Sequence, residues 1–451
     1  MKLATCLLAL CAACAPSAKV TARELAVPPH FERAATGASA ATVDWRAFFA
    51  DDALVALIGE ALAHNLDLQI ALARIELARA SVRGATGTLL PQVSAFAGGS
   101  LTRYGRHTLD GAGAPPNPVA ELAFGLQASW EPDLWGKLRS LRGSARAQYL
   151  ASIEGTNLVI TNLVAEVAVG YFELLALDQQ RDILRETITR QTKALEMIRV
   201  QKAAGRVNEL AVQQFEAQVA STQAQDAATA QQTHELENRL AVLLGRMPGP
   251  IPRAKEGLQR EVATTLATGV PSELLRNRPD IREAELRVEA SKFDVAAARA
   301  AFYPSISITA NAGYGAFEPR YLLRTPDSII ASIASSLVAP LVNRRGLEAE
   351  LSAAKAMQLA AIYQYQSVVL GSFAEVATGL STLERAAQIV SHRRHKQAAV
   401  AGTVDAVIDQ NPRVEARDAV DWLIHAAQRR PPPALPPIRI QAVFKENIPQ
   451  V

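Results

Sequence analysis

Apolar positions recur along this chain with two different periods. Over residues 52–85 they return every three or four residues and stop near Gly84 and Gly87, which predicts a helix. The stretch Leu122-Ala-Phe124-Gly-Leu126-Gln-Ala128-Ser-Trp130 alternates strictly instead and predicts a strand. A second alternating stretch sets Ile306, Ile308, Ala310, Ala312 and Tyr314 against Ser305, Ser307, Thr309, Asn311 and Gly313. Residues 329–341 alternate again, with Ile329, Ala331, Ile333, Leu337, Ala339 and Leu341 on one face, and residues 91–103 make a weaker fourth strand. Small polar residues opposite apolar ones suit a barrel wall between lipid and a wet lumen, and equally a sandwich with one solvated face.

The long segments narrow that choice. From Leu138 to about Ala203 there is no proline, and Gly143, Gly155 and Gly170 are the only glycines. Ile160, Val164, Val167, Tyr171 and Leu174 step by four and three residues in turn, the spacing of a coiled-coil seam. A helix of that length reaches roughly 100 Å at 1.5 Å per residue, more than a globular core is thick. Gly205 breaks the pattern, and 207–245 reads as a return helix. Hairpins this long, joined to short strands, predict a tall tube.

The chain also repeats itself. Ala-Glu-Val-Ala-x-Gly-x-x-x-Leu occurs at Ala165–Leu174 and returns 209 residues later at Ala374–Leu383. Leu90-Pro91 and Tyr303-Pro304 stand 213 residues apart, as do Asn65-Leu-Asp67-Leu68 and Arg278-Pro-Asp280-Ile281. Each half therefore runs helix, two strands, long helix, return helix.

Composition removes several alternatives. Charge is nearly balanced, with 47 basic and 44 acidic residues among 451, and only 5% of the chain is aromatic, which disfavours nucleic-acid binding. All three cysteines, Cys6, Cys11 and Cys14, precede residue 15, so the rest offers no disulfide and no thiolate. No run of 18 uninterrupted apolar residues occurs, so a bilayer crossing is expected to be a closed β-barrel. A glycine-rich phosphate loop, a His-Glu-x-x-His helix and a nucleophile elbow are all missing from the sequence. His392 and His395 lie three apart among arginines and read as a solvated basic face. No catalytic, cofactor-binding or metal residues are assigned, and the chain is not read as an enzyme.

Lys2, an apolar run from Leu3 to Ala13, and Cys11-Ala-Ala-Cys14 read as a signal peptide over residues 1–13 ending in a lipobox-like motif, with Cys14 as the lipidated residue. Two acyl signals on one terminus anchor firmly where one is marginal. Residues 14–43 read as a tether.

Several stretches together resemble the TolC-type outer-membrane efflux proteins, in the NodT-type lipoprotein branch that serves resistance–nodulation–division pumps. They are Asp44-Trp45-Arg-Ala-Phe-Phe49, Leu90-Pro91, Ser129-Trp-Glu-Pro-Asp-Leu-Trp-Gly-Lys137, Asn238-Arg-Leu-Ala-Val-Leu-Leu-Gly245, Val270-Pro-Ser-Glu-Leu-Leu-Arg-Asn-Arg-Pro-Asp-Ile281 and Ala300-Ala-Phe-Tyr-Pro304. The resemblance implies a mainly α fold with a β-barrel contribution, built from a duplicated unit of helix, two strands and long helical hairpin. It implies a homotrimer whose twelve strands close an outer-membrane barrel above a periplasmic α-helical barrel. Its partners would be a periplasmic membrane-fusion adaptor, an inner-membrane resistance–nodulation–division pump and outer-membrane lipid. Its work would be passive conduction of drugs or other small molecules from periplasm to exterior, with a gate of aspartates at the periplasmic tip. Residues 44–250 form the first repeat, 251–270 a linker and 271–400 the second repeat.

The end of the chain departs from the family. The repeat offset puts a second return helix across Arg430-Pro-Pro-Pro433-Ala-Leu-Pro-Pro437, where each interior proline costs about 3 kcal/mol. Residues 401–451 are therefore read as a divergent, frameshifted tail, within which Asp418 and Asp421 are the gate candidates. Two other readings stay open from sequence: a non-channel periplasmic coiled-coil adaptor or scaffold lipoprotein, and a non-functional truncated family member.

Overall fold

The computed structural model describes residues 44–49, 51–103, 105, 118–254, 277–340, 342 and 344–410, with the backbone alone for 397–410. In chain order the elements are α1 (Trp45–Phe49), α2 (Asp52–His64), α3 (Leu66–Gly87), β1 (Gln92–Thr102), β2 (Val119–Trp130), α4 (Lys137–Ala203), α5 (Glu209–Leu243), α6 (Pro279–Ala300), β3 (Ser305–Ala316), β4 (Ile329–Val338) and α7 (Arg345–Gln410). All four strands, the long helix α4 and the return helix α5 stand where their periods put them and α7 where the repeat puts it, with β4 ending at Val338, short of the expected 341. Cys14, Asp418 and Asp421 lie outside the described residues, and so does any return helix after α7.

The helix expected over 52–85 is two helices broken at Asn65. Asn65 leaves the helical region with ψ 127°, and its side chain makes the break stable. Oδ1 accepts from the Leu68 backbone N–H at 2.9 Å, and Nδ2 donates to the Leu243 carbonyl at 2.9 Å. A one-residue interruption barely disturbs a 3.6-residue period, so the pattern ran through it.

The described residues form two compact units. One takes 73–154 and 283–367 and holds the sheet, whose strands are antiparallel in the order β1-β2-β3-β4. The two halves of the chain thus meet at the β2–β3 pair, with Phe124 opposite Tyr314 and Trp130 opposite Ile308. On either side of β3 and β4 in sequence, Val295, Phe302 and Leu351 come together in a small core.

The other unit contains residues 44–72, 155–254, 277–282 and 368–410. Its core is the seam read from the sequence: Val164, Val167, Tyr171 and Leu174 are at most 2% exposed, packed with Trp45, Leu54, Ile58 and Leu240. Burying a leucine or isoleucine side chain contributes roughly 1.5–3 kcal/mol, so this cluster dominates the unit's stability. The Tyr171 hydroxyl donates towards Asp51 at 3.3 Å and accepts from the Ala254 N–H at 3.4 Å, and burial pushes its ionisation above the ordinary tyrosine range. Leu195, Val212 and Val219 continue the packing between α4 and α5. By composition one stretch of α4 could cross a bilayer, which corrects the expectation that no helix here is of that kind; half of the stretch is buried. Its apolarity serves the core, since Leu163, Val164, Ala165, Val167 and Ala168 are all covered by protein.

The hairpin ends are set by local chemistry. Gly205 takes φ +70° at the turn, and the Asn208 side chain caps α5 by accepting from the Ala211 N–H at 3.1 Å. At the far end Gly245 takes φ +69°, and a Cβ there would stand 2.2 Å from the His64 carbonyl oxygen, so a side chain is excluded twice over.

Candidate functional site

Cross-strand partners share a face, so the register sorts every residue of the sheet. One face carries Gln92, Ser94, Ser100, Thr102, Glu121, Gln127, Ser129, Ser305, Ser307, Thr309, Asn311, Ser332 and Ser336. On it the Ser307 and Ser336 hydroxyls meet at 2.7 Å, and Ser332 donates to Asn311 Oδ1 at 3.0 Å. The other face carries Val93, Leu101, Leu122, Phe124, Leu126, Trp130, Ile306, Ile308, Tyr314, Ile329, Ile333 and Leu337. Val93, Leu101, Leu126, Ile333 and Leu337 are well over half exposed, an open apolar surface that water does not tolerate at this extent.

The sheet also curls. Gly125 and Gly313 stand opposite each other on the polar face. A Cβ on Gly125 would lie 2.3 Å from the Ala312 oxygen, and one on Gly313 would lie 2.1 Å from the Phe124 oxygen. Side-chain positions that collide with the facing backbone mark the inside of a bend, so the polar face is the concave one. Polar inside and apolar outside is the wall of a membrane barrel, and the opposite of a soluble sandwich.

Aromatic rings stand at two levels of the apolar face. Phe124 stacks on Tyr314 at 5.6 Å, with Phe317 and Tyr321 beyond them in sequence and 5.4 Å apart. At the other level Trp130 donates its indole N–H to the Leu89 carbonyl at 3.1 Å. Trp135 donates to Pro304 O at 2.6 Å and stacks on Tyr303 at 5.0 Å. Phe124 and Trp130 are about 20 Å apart at 3.3 Å per residue, and Leu122 and Leu101 carry the apolar face beyond Phe124. Both tryptophans satisfy their polar atoms while keeping their rings partly exposed, as suits residues at a membrane interface.

The connection from β2 to α4 is rigid. Asp133 accepts the Leu138 and Arg139 backbone N–H groups at 3.1 and 2.9 Å and the Arg139 side chain at 3.0 Å. Burial works to raise its carboxyl, but those donors outweigh burial and hold it below the usual aspartate range. Lys137 pairs with Glu131 at 2.7 Å across the same turn.

Two ion clusters, one buried and one half-buried, escaped the sequence reading. Arg278-Pro-Asp280 opens α6, and Asp280 accepts the Ile281 N–H at 2.9 Å. Arg278 itself is only 10% exposed and bonds Asp280 and Glu375, each at 2.8 Å. Burial disfavours its charge, yet the two carboxylates prevail and raise its affinity for the proton. Glu375 belongs to the second copy of the repeated motif, which was the available signal; its pairing across 97 residues was not. Likewise Arg253, in the expected linker, binds Asp178 at 3.0 Å and Glu237 at 2.6 Å, with its proton affinity raised chiefly by Asp178. His392 and His395 are exposed on α7.

Comparison with known proteins agrees with this geometry. The family model described as outer membrane efflux protein matches residues 57–246 and again 270–407. The pyoverdine export outer membrane protein OpmQ of Pseudomonas aeruginosa is 32% identical over 366 residues, 80% of this chain and 76% of that protein. The solvent efflux pump outer membrane protein SrpC of Pseudomonas putida is 34% identical over 343 residues, 74% of this chain and 70% of its own length. The crystal structure of the open state of the MtrE outer membrane channel of Neisseria gonorrhoeae superposes with a TM-score of 0.77 at 28% identity, covering 89% of this chain and 91% of that one. With its duplicated halves, its curled two-faced sheet and its long helices, the chain belongs to the outer membrane efflux protein family and serves as an efflux channel of the outer membrane.

Proposed function

We propose that three copies of this chain close one barrel, and that the barrel is the passive exit of a pump powered elsewhere. The observation that carries the trimer is the sheet. Four strands are too few to close, and β1 and β4 stand at its edges. An open edge facing lipid would leave each unpaired backbone group several kcal/mol out of pocket, so the edges must be paired by other copies. Three copies give twelve strands, the closure implied by the family resemblance. A periplasmic membrane-fusion adaptor and an inner-membrane resistance–nodulation–division pump are the proposed partners, since no nucleotide-binding or redox motif in the chain supplies energy.

Cys14 is the proposed lipid anchor and residues 44–250 and 271–400 the two repeats. Asp418 and Asp421 remain the candidates for the gate. The deciding experiment is the native mass of the protein extracted from outer membranes in mild detergent, with mass analysis of its N-terminal peptide. A species of three protomers carrying diacylglycerol on Cys14 is expected. A monomer would overturn barrel closure and favour the scaffold reading or a truncated, inactive member.

A further inference from the structure

Every strand of the sheet meets a helix at the same end. Gln92 faces Ser129 there and Ser305 faces Val338, so residues 83–91, 131–139, 296–304 and 339–347 all leave the sheet on that side. These flanks hold six cations, Arg83, Lys137, Arg139, Arg299, Arg344 and Arg345, against two carboxylates, Glu131 and Asp133. They alone carry more positive charge than the whole chain, whose net is +3. At the opposite end the connections 103–118 and 317–328 hold four arginines and three carboxylates, and Arg320 and Arg324 are paired there with Glu318 and Asp327. The excess is confined to the helix side.

Both carboxylates of that side are engaged, Glu131 with Lys137 and Asp133 with Arg139. Arg83, Arg299 and Arg345, with Arg142 one turn further along α4, are exposed and have no carboxylate partner among the described residues. Arg345 also stands in the first turn of α7, where the helix dipole disfavours a cation. The same flanks expose Leu90, Leu134, Trp135 and Val342, the last at 87%. Bare arginines beside bare apolar side chains suit neither bulk water nor a polar lumen. They suit the headgroup layer of a bilayer, where rings and leucines reach the acyl chains and a guanidinium meets phosphate.

Pairing with a second copy leaves this surface open. α3 and α7, which continue the edge strands, each expose an uncharged stripe at three- and four-residue steps, Ala73, Leu77 and Ala80 on one and Ala349, Ala353 and Ala356 on the other. Arg83 and Arg345 flank those stripes and do not interrupt them.

We infer that Arg83, Arg142, Arg299 and Arg345 form a belt that binds the phosphates of phospholipids in the periplasmic leaflet and so fixes the height of the barrel in the membrane. This rests on the three-chain barrel proposed above, around which the four arginines recur in each copy. Arginine suits the task because its planar fork stays charged and meets phosphate oxygens in pairs.

The test uses the purified full-length protein in mild detergent, titrated with phosphatidylglycerol, phosphatidylcholine or inorganic phosphate and followed by native mass spectrometry. Arg83→Gln, Arg142→Gln, Arg299→Gln and Arg345→Gln are made singly and together, each checked for trimeric mass, and the single variants keep the test open if the combined one fails to fold. Phosphatidylglycerol is expected to bind the parent more tightly than phosphatidylcholine, and each single substitution to weaken it about five-fold. A control carrying Arg320→Gln and Arg324→Gln is expected to bind as the parent does. Equal binding of the two lipids, or phosphatidylglycerol affinity unchanged in every variant, overturns the belt and leaves the trimer standing. Displacement of phosphatidylglycerol by an equal concentration of inorganic phosphate marks a bare anion site and overturns lipid docking. A changed chloride-over-potassium preference in planar bilayers, with lipid binding unaltered, puts the arginines in the lumen and also overturns it. A parent that forms no trimer overturns the barrel on which the belt rests.

Discussion

The two copies of Ala-Glu-Val-Ala-x-Gly-x-x-x-Leu are alike in sequence and unlike in surroundings. In the first, Tyr171 and Leu174 are fully buried, and a Cβ on Gly170 would lie 2.8 Å from Leu240 Cδ2 on α5. In the second, Leu380 and Leu383 are partly exposed, and nothing stands within 4 Å of a Cβ on Gly379. The acidic residue reverses the pattern: Glu166 is exposed, whereas its counterpart Glu375 is drawn into the ion pair with Arg278. A motif fixes a helix and its periodicity; what covers that helix decides which of its faces becomes core. In the first half that cover is α5 with α2, and among the described residues no second α5 lies against α7.

The largest expected effect is on the leucine pair. Leu174→Ala should lower unfolding stability by about 3–5 kcal/mol, and Leu383→Ala by about 1, measured by denaturant unfolding in detergent. Equal losses would show the second copy to be as well covered as the first and would end the contrast. Next, Arg278→Met strands Asp280 and Glu375 and should cost about 3 kcal/mol in the same assay, while Glu166→Gln stays within about 0.5. The glycines sharpen the comparison by sign. Gly170→Ala must push Leu240 aside and should destabilise by about 1–3 kcal/mol, whereas Gly379→Ala should stabilise by about 0.5–1 because alanine is the better helix former in open space. A loss at both positions would mean that α7 is as crowded as α4.

Most of the secondary structure was legible because period is a local property: the seam of α4 and the alternation of all four strands needed no knowledge of partners. The faces of the sheet were legible for the same reason, as Ser307 and Ile308 differ in polarity wherever the strand is placed. What was not legible depends on meetings far apart in sequence. Asn65 looks like any helix residue until its amide finds Leu243, and Arg253 looks like linker until Asp178 and Glu237 hold it. The bend at Gly125 and Gly313 belongs with these, since neither glycine alone announces that the other faces it.

The smallest effect concerns the starts of the two long helices. α4 is capped by Asp133, whereas α7 begins at Arg345 behind Arg344, with no carboxylate in residues 339–344. Because the Asp133 carboxyl is held below its ordinary value of 3.8, the stability it contributes is complete above that pH and is lost as pH falls through the lower, folded value. Asp133→Asn should therefore reduce thermal stability at neutral pH and flatten the acid limb of the stability profile below about pH 4, as followed by circular dichroism. A parallel loss at every pH would assign the cap to geometry rather than charge.

The junction of Asn65 with the end of α5 has a mechanical consequence. The Asn65 amide grips the Leu243 carbonyl, and Gly245 presses its bare Cα side against His64, so α5 is clamped at that end. Towards its other end it is packed on α4 through Leu195, Val212 and Val219 and turns back through Gly205, so the two helices of the hairpin swing together. A rod held at one end transmits small rotations as large excursions at the other: over 35 residues, about 50 Å of helix, a tilt of about five degrees at the clamp swings the turn by about 4 Å. Asn65 is thus the fulcrum of the hairpin, and movement at its tip can be tuned from a residue some ten helical turns away.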